Sequence, residues 1–206
     1  MCIRDRVISA FAHLVMQAYS YHFGQDQREV VHFFESTFYY SMSVVGRSHN
    51  FTRRYNVNLF RKKKILFIIH QNDHWFTIIA YPSKKRIRIA DSIKRSAIPD
   101  AAYRILDFME AESKRWNVQF VLQDWKLDFI SCTQQTNGVD CGVHTCLHIL
   151  CVVFGFEIDE YSERMMDDYR HYILQCLLQR RLQDPTHICV PCGRWTHNTL
   201  TCSNCS

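Results

Sequence analysis

The stretch Gln134-Gln135-Thr136-Asn137-Gly138-Val139-Asp140-Cys141-Gly142 leads directly into the run Val143-His144-Thr145-Cys146-Leu147-His148-Ile149-Leu150. The first part has the polar and glycine residues typical of a turn, and the second has the apolar spacing of a core helix. Cys141 is therefore predicted at the first position of a helix. The unpaired N–H groups and dipole of a helix start favour negative charge, so the pattern predicts a thiol shifted toward thiolate.

Two interpretations of Cys141 are open at this point. In the first it is a catalytic nucleophile, and Gln135 folds back across the turn so that its amide donates to an oxyanion. In the second it is a small buried hydrophobic residue that enters a core helix. The chain has 10 cysteines in 206 residues, so this turn alone does not decide. The decision depends on partners elsewhere in the chain.

A predicted β-hairpin upstream supplies such partners. The segments His74–Tyr81 and Arg86–Ala90 have strand character, and Pro82 begins a turn between them. Folding the chain at this turn brings His74, at the start of one strand, opposite or nearly opposite Asp91, at the end of the other. A cysteine nucleophile needs a base, and the base needs an acceptor that orients it.

His74 suits the base because the ordinary histidine pKa lies near neutrality, and Asp91 suits the orienting acceptor. Each residue also has a plainer interpretation. His74 alone could be an exposed loop histidine, and Asp91 alone could cap the hairpin end or a following turn. Their joint placement on one hairpin, together with Cys141 and Gln135, favours catalysis.

These residues resemble the signature of the Ulp1-type family of ubiquitin-like-protein-specific cysteine proteases. The matching elements are His74-Trp75, Asp91-Ser92 and Gln135-x-Asn137-Gly138-x-Asp140-Cys141-Gly142, and a weaker likeness extends from about residue 34 to residue 178. The resemblance implies an α+β, papain-like cysteine protease fold with a central, mostly antiparallel sheet flanked by helices.

The resemblance also implies roles for the matched residues. His74 is expected to be the general base, Asp91 its orienting acid, Cys141 the nucleophile and Gln135 an oxyanion donor beside the backbone N–H of Cys141. Trp75 is expected to wall a narrow channel for a Gly-Gly tail, and the substrate-binding set is Trp75, Asn137 and Gly138. The expected partner is a ubiquitin-like modifier of the SUMO or NEDD8 class with its conjugates, and catalysis requires no cofactor.

The chain departs from this family upstream of the histidine. The family usually has a second tryptophan that closes the channel, and no tryptophan precedes Trp75 here. Tyr55 or Phe51 are candidate substitutes, and the early substrate-docking segment is short or absent. The N-terminus is therefore expected to be truncated, and the first six residues are set aside as an assembly artefact.

The remaining elements complete a one-domain prediction over residues 7–183. Ile65–Ile69 has the pattern of a buried strand, and Val118–Leu122 is predicted as a further strand. Helices are predicted at residues 7–15, at 26–38 with Asp26 as a cap, at 100–116 and from 161 to about 183, and residues 39–58 are predicted as a connector.

Residues 184–206 form a separate Cys-rich tail. Cys189, Cys192, Cys202 and Cys205 make two CxxC pairs, which is the usual ligand pattern of a structural zinc site, with His187 or His197 as substitute ligands. The alternative is an unstructured tail rich in cysteine. The tail has little apolar sequence, which suits folding around a metal.

Composition and charge limit the other classes of function. A hydrophobic fraction of 47% is ample for a core, and no run is long enough to span a membrane or has the shape of a signal peptide. The predicted setting is intracellular, in the nucleus or cytoplasm, with reduced thiols and a monomeric chain. The net charge of +5 is mild, and Arg61–Lys64 could attract an acidic partner or form a solvated loop.

Two other functions compete with proteolysis. The first is a catalytically weak module that binds a ubiquitin-like tail, and the complete set of four polar groups argues against it. The second is an acetyltransferase that shares the triad geometry, but that group typically has glutamate where this chain has Asp91. A nucleic-acid role for the tail is not indicated, because Arg194 is its one basic residue apart from histidines.

Overall fold

The computed structural model describes residues 5–23, 30–45 and 56–182. A five-stranded sheet lies at its centre, and its strands follow one another across the sheet in chain order. These strands are β1 (Val31–Phe34), β2 (Lys64–Gln71), β3 (His74–Tyr81), β4 (Arg86–Ala90) and β5 (Lys126–Phe129). The β2–β3 and β3–β4 pairs are antiparallel, whereas β1 and β5 join the two edges in parallel.

Within the described part of the chain, five α-helices cover the two faces of this sheet. They are α1 (Asp5–Phe23), α2 (Ser36–Val45), α3 (Asp100–Arg115), α4 (Cys141–Phe154) and α5 (Met166–Gln179). Alternate residues of β2 point to opposite faces, so Leu66 and Ile68 pack with α1, α4 and α5, whereas Ile65, Phe67 and Ile69 pack with α2 and α3. The result is a three-layer α+β arrangement with a core on each side of the sheet.

Two tight turns fix the hairpins of the central strands. Asn72 and Asp73 join β2 to β3 with φ angles of 53° and 57°, which is the left-handed conformation that two-residue hairpin turns require. Pro82–Lys84 form one 3-10 turn between β3 and β4, and Lys85 follows with φ of 47°. The predicted hairpin about Pro82 is thus confirmed, as are the strands at residues 65–69, 74–81 and 86–90.

Several sequence predictions of local structure were wrong. The predicted helix at residues 26–38 is instead β1 followed by α2, because the aromatic and β-branched residues of β1 pair in register with β2. The apolar spacing that looked helical therefore spans a strand and a helix. α2 also occupies part of the connector predicted at 39–58, and Asp26 lies outside the described residues.

The predicted strand Val118–Leu122 was also wrong, since the fifth strand forms at Lys126–Phe129. There Leu127 pairs with Ile87, whereas Phe120 stacks on Trp125 at 5.0 Å between ring centroids. The last helix begins at Met166 rather than at residue 161, and it ends at Gln179. The first helix extends from Asp5, so residues 5 and 6 belong to the fold.

Candidate active site

Three separate elements bring His74, Asp91 and Cys141 together. His74 is the first residue of β3, Asp91 directly follows the last residue of β4, and Cys141 is the first residue of α4. Because β3 and β4 are antiparallel neighbours, the start of one lies beside the end of the other. The helix α4 packs on the same sheet, and both Cys141 and Trp75 belong to the core between them.

The hairpin register explains how His74 meets Asp91. Thr77 is paired with Ala90, so continuing the register by one residue places Asp91 across from Phe76 and His74 on the adjacent diagonal of the same face. The ring of His74 stacks on Phe76 with 6.0 Å between centroids, and its Nε2 lies 2.6 Å from Oδ1 of Asp91. A carboxylate only accepts, so Nε2 carries the proton and donates.

The other ring nitrogen, Nδ1, is then available to Cys141, and the side chains of His74 and Cys141 are hydrogen-bonded. The N–H groups of Trp75 and Gly142 also donate to this sulfur. Burial raises the pKa of the Cys141 thiol, but these donors and the charge of His74 outweigh it, and the pKa falls below its ordinary value.

Burial likewise lowers the pKa of His74, but the hydrogen bonds to Asp91 and Cys141 reverse this effect and raise the pKa to about 9. The directions of the two shifts favour transfer of the thiol proton to the imidazole. The arrangement therefore stabilises a thiolate–imidazolium pair, which is the reactive form of a cysteine nucleophile.

Asp91 is held by two further donors. The backbone N–H of Ile93 donates to Oδ1 at 2.9 Å, and Nε of Arg95 donates to Oδ2 at 2.5 Å. Burial raises the pKa of Asp91, yet the hydrogen bonds from His74, Arg95 and Ile93 lower it below its usual range. Asp91 is therefore a charged residue whose side chain is only 1% exposed.

Gln135 lies on the loop that precedes α4. Its backbone N–H donates to the carbonyl of Ser92 at 2.8 Å, and its Oε1 accepts from the Ser92 hydroxyl at 2.7 Å. With the amide oxygen fixed by Ser92, the NH₂ group points into the loop and donates one hydrogen to the carbonyl of Asn137. This contact uses one of the two hydrogens that the NH₂ group of Gln135 can donate.

The loop itself is held by Asn137, Asp140 and residues of the C-terminal segment. Oδ1 of Asn137 accepts from the N–H groups of Val139 and Asp140 at 2.9 and 3.1 Å, and its Nδ2 donates to Asp140 at 2.6 Å. Asp140 also pairs with Arg170 of α5. Gly138 is exposed and has nothing within 4 Å of an added Cβ. Asn137 thus shapes the loop.

A second contact ties this loop to the segment before α5. Glu163 accepts from both the N–H and the hydroxyl of Thr136, at 3.0 and 2.8 Å, and the hydroxyl of Thr133 donates to the carbonyl of Tyr161 at 2.7 Å. Neither Arg170 nor Glu163 was singled out from the sequence. No local signal identifies them, because their partners are about thirty positions away in the chain.

Trp75 is 5% exposed, and its ring stacks on His70 with 4.2 Å between centroids. The candidate substitutes for an upstream tryptophan, Phe51 and Tyr55, lie outside the described residues. Cys141 is 1% exposed. Its side chain therefore has almost no contact with solvent.

A second buried cluster lies on α4, one and two turns beyond Cys141. The hydroxyl of Tyr161 lies 2.6 Å from Nδ1 of His144 and 2.9 Å from Nε2 of His148. Burial lowers the pKa of His144 to about 4 and that of His148 to about 3. Sequence analysis identified neither histidine as distinctive, because nothing in the local pattern separates them from other core residues.

No group of three or more His, Cys, Asp or Glu side chains suited to a metal ion occurs within residues 5–23, 30–45 and 56–182. The tail cysteines Cys189, Cys192, Cys202 and Cys205 lie outside those ranges. None of the helices in the described part of the chain combines the length and apolar character that crossing a bilayer requires.

Comparison with known proteins gives consistent matches. The model of the Ulp1 protease family, C-terminal catalytic domain, matches residues 2–180. Sentrin-specific protease 5 of Homo sapiens is 28% identical over 185 residues, which are 88% of this chain and 23% of that protein. Sentrin-specific protease 3 of Mus musculus is 28% identical over 153 residues, covering 71% of this chain and 25% of that protein. The chain spans about a quarter of the length of these relatives.

Solved structures agree with this match. The C-terminal Ulp1 protease domain in complex with SMT3, the yeast ortholog of SUMO, superposes with a TM-score of 0.72 at 22% identity, over 88% of this chain and 79% of that one. The Chaetomium thermophilum Ulp1-like SUMO protease catalytic domain gives 0.76 at 23% identity, over 88% and 74%. The predicted α+β fold class is confirmed by these likenesses.

Proposed function

The chain belongs to the Ulp1 protease family of cysteine peptidases, and from that premise we propose that it hydrolyses the bond after the C-terminal Gly-Gly of a ubiquitin-like modifier. We assign Cys141 as nucleophile, His74 as general base and acid, Asp91 as the orienting carboxylate and Gln135 as an oxyanion donor. The observation that carries this proposal is the hydrogen-bonded pair of His74 and Cys141, with one pKa raised and the other lowered.

The geometry supports a two-stage reaction. The Cys141 thiolate attacks the carbonyl carbon of the terminal glycine, and the resulting oxyanion accepts from the Gln135 amide and the N–H of Cys141. His74, already protonated, donates its Nδ1 proton to the leaving amine and leaves a thioester. Water then attacks the thioester while His74 takes its proton, which regenerates the thiolate and releases the modifier acid.

Access to the sulfur favours a thin substrate tail. Because Cys141 is 1% exposed and Trp75 contacts it through a backbone N–H, a chain without side chains at its last two positions fits best. We therefore keep Trp75 as a channel wall. Asn137 and Gly138 belong to the proposed substrate-binding set as part of the loop beside this entrance.

We propose a SUMO-class modifier as the first partner to test, with NEDD8 second. The relatives are named sentrin-specific proteases, and one structural neighbour is a complex with SMT3, the yeast ortholog of SUMO. The five described cysteines outside the tail are all free, which suits the proposed intracellular setting, in the nucleus or cytoplasm.

The decisive experiment presents the purified chain with SUMO, NEDD8 and ubiquitin, each carrying a fluorogenic group on its C-terminal glycine. We expect turnover of the SUMO reporter by the native chain and none by Cys141→Ala, with both folded by circular dichroism. A tail-directed vinyl electrophile separates catalysis from binding, since only a reactive thiolate is labelled. Absence of both turnover and labelling, or turnover by Cys141→Ala, would refute the proposal.

We propose separately that the tail cysteines Cys189, Cys192, Cys202 and Cys205 bind one structural zinc ion. Two CxxC pairs supply the four thiolates of a closed tetrahedral site. Zinc released on unfolding the chain should amount to about one equivalent, and Cys189→Ser/Cys192→Ser should lose it. Chelation should leave modifier cleavage intact, because no step of the reaction uses the metal. Release of no zinc from the native chain would contradict this assignment.

A further inference from the structure

We propose that Arg95 is a positioning residue that fixes the Asp91 carboxylate and shares its charge with His74, thereby setting the pH range in which the thiolate–imidazolium pair exists. This inference rests on the proposed function, which names Cys141 and His74 as the reacting pair. It adds a second cation to the site, on the side of Asp91 that faces away from the histidine.

The geometry of Arg95 supports this role. Its Nε donates to Oδ2 of Asp91 at 2.5 Å, whereas His74 occupies Oδ1, so the two cations hold the two oxygens of one carboxylate. The guanidinium also lies over the ring of Phe76, with 5.2 Å between its central carbon and the ring centroid. Phe76 in turn stacks on His74. Arg95 is thus fixed by two independent contacts.

The side chain of Arg95 is 29% exposed, whereas that of Asp91 is 1% exposed. Arg95 therefore covers the outer oxygen of a nearly dry carboxylate. An ion pair whose acidic partner is excluded from water is screened less than a surface pair. The charge of Arg95 consequently acts on the groups that share Asp91, and these are His74 and, through it, Cys141.

Other titratable groups surround the same site. His148 and His144 approach from α4, and the thiol of Cys132 donates to the carbonyl of Asp91 at 3.0 Å. Burial holds both histidines neutral near pH 7, with pKa values of about 3 and 4, and it raises the pKa of Cys132 to about 11. None of the three changes charge between pH 5 and pH 9. The charged groups in that range are Arg95, Asp91, His74 and Cys141.

The acidic limb of the pH profile follows formation of the Cys141 thiolate, and the basic limb follows loss of the His74 proton. Removing the Arg95 charge should move both limbs in the same direction. Without it, Asp91 attracts the His74 proton more strongly, so the basic limb shifts upward. The thiolate also loses the effect of a positive charge that reaches it through Asp91 and His74, so the acidic limb shifts upward as well. We expect each shift to be about 0.5 to 1 pH unit for Arg95→Met, which keeps a flexible side chain over Phe76.

The test measures kcat/KM of the modifier reporter from pH 5 to pH 10 for the native chain, Arg95→Met, Arg95→Lys and Lys94→Met. Lys94 is exposed and adjacent in sequence, so Lys94→Met is the matched control for loss of one positive charge. Arg95→Lys keeps the positive charge, so the pH values of both limbs should stay close to those of the native chain. Unmoved limbs in Arg95→Met, limbs moved to lower pH, or an equal shift in Lys94→Met would overturn the proposal.

A second measurement separates this inference from the proposed function. The rate of iodoacetamide alkylation of Cys141, followed by peptide mapping across the same pH range, reports the thiolate directly and requires no substrate. An upward shift of that titration in Arg95→Met, with neither modifier turnover nor labelling of the native chain by the tail-directed electrophile, would support the role of Arg95 and refute the protease. Modifier cleavage by the native chain, together with an unshifted alkylation titration in Arg95→Met, would support the protease and refute the role of Arg95.

Discussion

Among the residues that the structure describes, two sets of buried histidines have opposite protonation. His74 lies beside Asp91 and Cys141 and has a pKa raised to about 9. His144 and His148, on the helix that Cys141 begins, share the hydroxyl of Tyr161 and have pKa values lowered to about 4 and 3. Burial lowers the pKa in all three cases. The partner decides the outcome, since a carboxylate stabilises an imidazolium and a phenol does not.

The buried thiols show the same contrast. Burial raises the pKa of Cys132 to about 11 and that of Cys151 to about 12, whereas the pKa of Cys141 is lowered by His74 and by backbone N–H groups. The neighbouring groups, and not the depth of burial, therefore decide which cysteine of this fold has a lowered pKa. The contrast also identifies Asp91 as the group on which the charged cluster depends.

The largest effect on the difference between the two sets of histidines is expected when Asp91 is replaced by a neutral residue. Asp91→Asn gives His74 an uncharged partner, as Tyr161 is for His144, so its pKa should fall from about 9 toward or below the ordinary value of about 6.5. We expect kcat/KM to drop by roughly 10³–10⁴-fold, as in triads whose carboxylate becomes an amide. Steady-state cleavage of the SUMO reporter measures this loss.

Asp128→Asn is the control for that substitution. Asp128 also pairs with an arginine, Arg86, but it lies on β5 at the exposed edge of the sheet. Its removal should leave kcat/KM within about twofold, because exposed ion pairs contribute little. An Asp91→Asn chain that keeps more than a tenth of native activity would contradict the assigned role of Asp91.

A smaller effect is expected at Gln135, which adds a donor without changing the charge of the pair. Gln135→Ala should lower kcat by roughly 10²–10³-fold with little change in the pH limbs. Gln134→Ala is the matched control, because its amide donates to the carbonyls of Asp91 and Cys132 and not toward the loop. If both variants lose activity equally, Gln135 acts on loop structure and not on the oxyanion.

The buried, neutral histidines His144 and His148 predict that the free energy of unfolding decreases at acidic pH. His144 and His148 have folded pKa values of about 4 and 3, below the unfolded value of about 6.5. The unfolded chain therefore binds more protons once the pH falls below about 6.5, and stability decreases with falling pH down to the folded pKa values. Between pH 7 and pH 5 the two histidines should remove about 4 kcal/mol, offset by roughly 1 kcal/mol from His74.

Urea unfolding at pH 7 and pH 5 tests this expectation. The triple variant His144→Phe/His148→Phe/Tyr161→Phe removes all three polar groups together, which avoids leaving one of them buried without a partner. Its stability should depend much less on pH than that of the native chain. Parallel pH dependence in the two proteins would show that these histidines are not the acid-sensitive groups.

The sequence predicted the contact between His74 and Asp91 better than it predicted the edges of the sheet. The hairpin carried its own turn signal and strong apolar strands, so the approach of His74 to Asp91 followed from one local register. The short strands β1 and β5 form only by parallel pairing with distant partners, and no local pattern specified them. The contact of Arg95 with Asp91 was also not predictable, since one arginine in a turn does not indicate which carboxylate it will contact.

The contact between Arg170 and Asp140 has a consequence for biosynthesis. Arg170 lies on the last described helix, and Asp140 directly precedes the nucleophile. A nascent chain that has emerged from the ribosome only as far as α4 already contains Cys141, His74 and Asp91. The loop that precedes Cys141 is not yet held by Arg170. The contact between Arg170 and Asp140 can therefore form only late in translation, once α5 has emerged and packed against the loop.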